Sequence, residues 1–144
     1  MAETTPGSSE VAQRAIATFK QQQFDEAIPL LRQAIEFDKD SFKLWMYLGA
    51  ALGHREKWAD AERAFAKAEE IDGSSAEASY MLGIAIAKQG RLREAHGQFM
   101  VALGNDPNHA KAKAAAEKTA AAAAQVTKDG SSAAAPGGLA GLDL

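Results

Sequence analysis

No cysteine occurs in the chain, so no disulfide can staple it and no thiolate can hold a metal, a pattern that fits a reducing compartment. Aromatic residues make up only 7% of it, which leaves most of a core to aliphatic side chains and alanine. The three histidines, His54, His96 and His109, fall on separate segments with no HExxH pattern or His/Asp cluster, so no metal site is expected. His54 alone falls on a candidate binding face, and the other two are expected at the surface. Serines lie at termini, caps and turns apart from Ser79, and no Ser-His-Asp ordering suggests a nucleophile. Gly137-Gly138-Leu139-Ala140-Gly141 lacks the preceding strand and following helix that a phosphate loop needs. No apolar run approaches the roughly 18 residues of a membrane span, and Met1 to Ser9 carries neither a basic nor an apolar signal segment. With a net charge of -3 there is no global basic field to gather nucleic acid or anionic lipid. Lys111, Lys113 and Lys118 form a small basic face without interleaved aromatics, better suited to solvation than to nucleic acid. These absences argue against an enzyme, a cofactor, a nucleic-acid partner and a membrane span. The expected address is the cytoplasm.

What the chain does have is internal repetition. Trp45, Leu48, Gly49, Leu52, Ala61, Phe65, Ala68 and Gly73 recur 34 positions later as Ser79, Leu82, Gly83, Ile86, Ala95, Phe99, Ala102 and Pro107. Six of the eight pairs keep residue type or bulk, enough to define a unit. Small residues alternate with large ones at helical spacing. Gly49 and Gly83 would let two helices approach closely, while Phe65 and Phe99 fill the space around the contact.

The run Trp45-x2-Leu48-Gly49-x2-Leu52 followed by Ala61-x3-Phe65 resembles the tetratricopeptide repeat signature, a helix-turn-helix unit. That resemblance implies an all-α, right-handed α-solenoid of antiparallel helix pairs. The register gives repeats at about 8–41, 42–75 and 76–109, a capping helix at about 108–125, and together a domain over 9–125. Residues 1–8 and the Ala/Gly/Ser-rich tail 126–144 read as flexible. In the first repeat Val11, Arg14, Ala15 and Thr18 replace Trp, Leu, Gly and Leu, and Leu31 stands where Phe65 stands, as suits a terminal repeat with one face in water. Pro29 falls near the start of a second helix, where at most one backbone bond is lost. Ser8 or Ser9, Asp40-Ser41 and Ser74-Ser75-Ala76-Glu77 offer N-caps, the last with capping-box spacing. Gly73, Gly90 and Asn105-Asp106-Pro107 supply turns. Ala112, Ala115, Ala116 and Ala120 would form the inner face of the capping helix.

The resemblance also implies a concave binding groove lined by the first helix of each repeat. Carried over by register, its positions are Ser9, Ala12, Gln13, Ile16, Phe19 and Lys20 in the first repeat. The second contributes Lys43, Met46, Tyr47, Ala50, Gly53 and His54, and the third Glu77, Tyr80, Met81, Ile84, Ala87 and Lys88. Apolar side chains surplus to the core mark an interaction face, and Tyr and Met suit a peptide groove. The reading is an adaptor that holds an apolar or amphipathic segment of another protein, with Tyr47, Tyr80 and Met81 as anchors. Relatives that clamp the C-terminal carboxylate of heat-shock chaperones use Lys, Asn, Asn, Lys and Arg at positions occupied here by Ala12, Ile16, Tyr47, Glu77 and Met81, so that ligand is disfavoured. Small secretion chaperones with three repeats offer another parallel, in repeat number and groove polarity. Self-assembly through the solenoid ends as a homo-oligomer, and docking of the Leu139/Leu142/Leu144 motif into a groove, complete the alternatives.

Overall fold

The computed structural model describes residues 6–129, with side chains over 9–124. Residues 1–5 and the leucine motif of the tail lie outside the described residues. Every regular element described is an α-helix. The helices are α1 (Pro6–Lys20), α2 (Phe24–Phe37), α3 (Phe42–His54), α4 (Trp58–Ile71), α5 (Ala76–Ala87), α6 (Leu92–Asn105) and α7 (Ala110–Asp129). The chain divides into two compact units, 1–71 with α1 to α4 and 72–144 with α5 to α7.

Recurrence at the 34-residue offset extends to the connections. Gln22, Glu56 and Gly90 are spaced by that offset, and all three adopt left-handed backbone, with φ of 64°, 59° and 88°. Only the third is glycine, so the first two turns hold a conformation costing a non-glycine residue about 1 kcal/mol. Asp72 and Asp106 each close a turn after a helix, their Oδ1 accepting from the N–H of Ser74 at 3.1 Å and of Asn108 at 3.0 Å. Helix starts follow the same rhythm. Ser41 Oγ accepts from the Leu44 N–H at 3.2 Å, Ser75 Oγ from Ala78 at 3.1 Å, and the Nδ1 of His109 from Ala112 at 3.0 Å. An imidazole thus does for α7 what serines do for α3 and α5, satisfying an amide that the helix cannot.

Three expectations about caps and ends need correction. Helix α1 begins at Pro6, a residue pre-set for the first helical turn, so Ser8 and Ser9 lie inside the helix instead of capping it. Ser75, not Ser74, is the N-cap of α5; Glu77 is therefore one position too early for a capping box and turns elsewhere. Helix α7 runs on to Asp129, past the expected end of the cap at 125. Pro29 is the sixth residue of α2 and exposed, so one backbone bond is forgone where water can serve the freed carbonyl.

In unit 1 the core is Ala15, Ala27, Leu31, Ala34, Leu48, Leu52, Ala61, Phe65 and Ala68. A methyl group built on Gly49 would lie 2.5 Å from Cε1 of Phe65, so the bare backbone of α3 is what admits the ring from α4. Unit 2 repeats the arrangement, with Gly83 and Cε1 of Phe99 again at 2.5 Å. Where the equivalent large residue is the smaller Leu31, the equivalent small one is the larger Ala15, and both are fully buried. Bulk is traded across the helix pair. Trp45 is only half-buried, its indole N–H donating to the Lys39 carbonyl at 2.8 Å, so it contributes less to the interior than its size suggests.

The last helix packs on α6 through Ala112, Ala115, Ala116 and Thr119; Ala120 is exposed, because helical spacing places 119 rather than 120 on the stripe begun by 112 and 115. Thr119 is fully buried, and its hydroxyl donates to the Ala115 carbonyl at 2.8 Å. Nδ1 of His96 lies 3.1 Å from both the Ala116 carbonyl and Thr119 Oγ1, which ties α6 to α7. His96 and His109 are thus partly buried structural groups, contrary to the expectation that both face solvent.

Candidate functional site

Two of the three expected groove segments belong to unit 1. Helical spacing puts Ala12, Ile16 and Phe19 in one stripe of α1 and Lys43, Met46, Tyr47, Ala50 and His54 along α3. Ile16, Phe19, Met46, Tyr47 and Ala50 are neither buried nor free but half-buried; Lys43 and His54 are exposed. Side chains of this kind are held in place from below and open above.

At the C-terminal ends of α1 and α3 the aromatics meet. The Phe19 ring stands edge-on to Tyr47 at 5.0 Å and to Phe24 at 5.3 Å, and Phe24 stacks on His54 at 4.4 Å with a 6° interplanar angle. Offset and edge-on aromatic arrangements each add about 0.5–1.5 kcal/mol beyond burial. Phe24 comes from α2 and was missed by the register argument, since it is not on a first helix; the only signal was a large aromatic at a turn. Nε of Arg55 reaches Asp25 Oδ1 at 2.7 Å, fastening the turn after α3 to the first turn of α2.

At the opposite end a crevice of about 200 Å³ opens between the starts of α1 and α3 and the end of α2. Ala12, Ile16, Ala34, Phe37 and Leu44 make it apolar, with Ser9, Asp38, Ser41 and Lys43 among its polar lining. Phe37, one of the residues lining this crevice, is 52% exposed. The volume is below the roughly 300 Å³ of a small-molecule pocket but suits a single side chain.

Unit 2 departs from expectation. Ten consecutive residues of α5, Ala78 to Ala87, are buried, as befits a helix apolar on every side. Tyr80 is 4% exposed, Met81 8% and Ile84 0%, and so these three do not form the uncommitted face that the repeat register suggested. Tyr80 lies 5.9 Å from the Phe99 ring and 5.1 Å from that of His109. Its place beside the cap of α7 commits it to the fold. Glu77 is exposed, but its Oε2 is 2.9 Å from Nε2 of His109, while Lys88 is half-buried. His109 accepts from Ala112 at one nitrogen and faces Glu77 with the other, so the neutral ring donates from Nε2 to the carboxylate. Within unit 1 the half-buried apolar part of the predicted groove set is therefore Ala12, Ile16, Phe19, Met46, Tyr47 and Ala50, flanked by Lys43 and His54.

Among the described residues no helix is long and apolar enough to cross a membrane. Comparison with known proteins matches a family model described as tetratricopeptide repeat over residues 13–76 and 51–110, more than half of the chain. Among solved structures, the first such domain of Spaghetti (RPAP3), bound to HSP90 peptide SRMEEVD, superposes with a TM-score of 0.76 at 25% identity, covering 81% of this chain and 93% of that one. The second domain of human RPAP3, in complex with HSP70 peptide SGPTIEEVD, gives 0.73 at 25% identity, with 78% and 93% covered. The Yersinia enterocolitica type III secretion chaperone SycD, in complex with a peptide of the translocator YopD, gives 0.70 over 89% and 98%, at 12% identity; that likeness concerns the fold alone. No curated protein sequence matches the chain.

Proposed function

Because the chain belongs to the tetratricopeptide repeat family, we propose that it is a protein-interaction adaptor that holds an apolar or amphipathic segment of a partner against the first helices of unit 1. One observation carries this reading: six apolar side chains of the groove set on α1 and α3, namely Ala12, Ile16, Phe19, Met46, Tyr47 and Ala50, stay half-buried while the equivalent row on α5 is buried. An aromatic cluster at one end and an apolar crevice at the other give a bound segment two anchoring points. Peptide complexes of structurally similar domains support a peptide as the ligand class.

The ligand chemistry differs from that of those neighbours. Ala12, Ile16 and Tyr47 stand where a carboxylate clamp would place its amide and ammonium groups. An acidic C-terminal peptide finds none of the clamp's groups at these three positions, whereas an apolar side chain finds a seat. The test is a peptide-display selection against the full chain, counter-selected on Tyr47→Glu, with SRMEEVD as a separate arm. Enrichment of apolar or amphipathic segments that lose binding to Tyr47→Glu supports the proposal. Binding of SRMEEVD in preference to every selected segment, or selected segments indifferent to Tyr47→Glu, overturns it.

A further inference from the structure

A second depression in unit 1 lies outside the inner-face set and is built differently. It encloses about 340 Å³ between α2, α3 and α4, with Leu48 and Leu52 in its floor and the half-buried Trp45 as a wall. The indole N–H of Trp45 is occupied by the Lys39 carbonyl at 2.8 Å, so the ring is fixed in orientation and offers the cavity a carbon face. Around the mouth stand Arg32, Arg63 and Lys67.

Charge decides what could enter. The whole chain carries -3, yet the lining of this depression has three cations against one carboxylate, Asp60. Arg63 reaches Asp60 at 3.2 Å and Lys67 reaches Glu70 at 3.7 Å, both as solvent-exposed pairs, while Arg32 has no ion-pair partner among the described residues. Exposed pairs of this kind contribute little and exchange readily for a better-placed carboxylate. An apolar lining, an aromatic wall and a cationic rim complement a segment that presents a large apolar side chain between acidic ones. The arginines suit carboxylates through their paired N–H groups.

We propose that this depression is a second docking surface, and that its occupant is an acidic amphipathic segment of a partner protein, a Phe- or Leu-sized side chain seated on Leu48 and Leu52 with flanking carboxylates on Arg32 and Arg63.

The probe is synthetic acetyl-Glu-Glu-Phe-Glu-Glu-Leu-amide, titrated into the full chain labelled with nitrogen-15. Two control peptides carry Lys for every Glu, or Ser for Phe and Leu. The expected result is a shift of the Trp45 indole N–H and of the Leu48 and Leu52 amides, with a Kd of about 1 mM or tighter, measured at about 0.15 M ionic strength. The double variant Arg32→Glu, Arg63→Glu, whose sites are exposed and whose folding is checked by circular dichroism, should weaken binding at least about tenfold. Equal binding by either control peptide, binding indifferent to the charge reversal, shifts confined to α1 and the inner face of α3, or no binding at all would each overturn the proposal.

Discussion

Gly49→Ala should destabilise the protein although alanine is the better helix former, and the structure sets the size of the effect. The new methyl would lie 2.5, 2.6 and 2.8 Å from three carbons of the Phe65 ring, all inside van der Waals contact. That ring is fully buried, so it cannot swing into solvent to make room. Overpacking of this kind costs about 1–3 kcal/mol. Helix propensity returns about 1 kcal/mol, leaving a net loss of up to about 2 kcal/mol. Gly97 and Gly104 on α6 provide the internal control, because a methyl on either meets nothing within 4 Å. The same substitution at Gly97 should stabilise by up to about 1 kcal/mol. The first repeat suggests the rescue, since Ala15 is there accompanied by Leu31. Adding Phe65→Leu to Gly49→Ala recreates that combination, and the double variant should be more stable than the sum of the two single losses by about 1 kcal/mol or more. Urea unfolding of all four chains, with slopes compared to confirm a common unfolded state, measures each term. A stabilising Gly49→Ala, or strict additivity with Phe65→Leu, would refute the claim that the ring lodges against bare backbone.

Four further outcomes follow from particular contacts. Gln22→Gly and Glu56→Gly should each stabilise by about 0.5–1 kcal/mol in the same unfolding assay, and Gly90→Ala should destabilise by about 1 kcal/mol, because all three hold left-handed backbone. His109→Ala should cost about 1 kcal/mol through loss of the α7 cap, with His109→Ser, the residue found at the other two caps, recovering most of it. Met81→Glu should abolish folding as read by circular dichroism, since it buries a carboxylate at an 8% exposed position, while Tyr47→Glu should leave the helical signal intact. Thr119→Val keeps the shape but leaves the Ala115 carbonyl and His96 without the hydroxyl, and should loosen α7 selectively, raising amide exchange over 110–124 more than in α6.

The repeat was legible because close packing repeats. Gly49 with Phe65 and Gly83 with Phe99 are volume constraints, and such constraints leave the same letters at the same offset. Left-handed turns at Gln22 and Glu56 were not legible, because the turn tolerates a non-glycine residue at modest cost and only Gly90 announces it. His109 as a cap was hidden for a similar reason: an imidazole nitrogen can accept as a serine oxygen does, but histidine is not a typical cap residue. On the candidate face, Ile16, Phe19, Met46, Tyr47 and Ala50, which register places outside the packing set, are half-buried. Register misplaced Tyr80, Met81 and Ile84, because it states where a side chain starts and not what covers it. The warning lay in the composition of α5, which has no polar stripe between Ala78 and Ala87 and so no face to give to water.

Recognition by the first helices of unit 1 shows most directly in which apolar side chains a partner segment touches. Methyl-labelled protein carrying visible Ile and Met signals, titrated with a segment selected as described above, reads this directly. The Ile16 and Met46 methyls should shift strongly and show contacts to the ligand, while Met81 and Ile84 stay in place. Ligand contacts at Met81 and Ile84, with Ile16 and Met46 silent, would contradict the assignment of recognition to the first helices of unit 1.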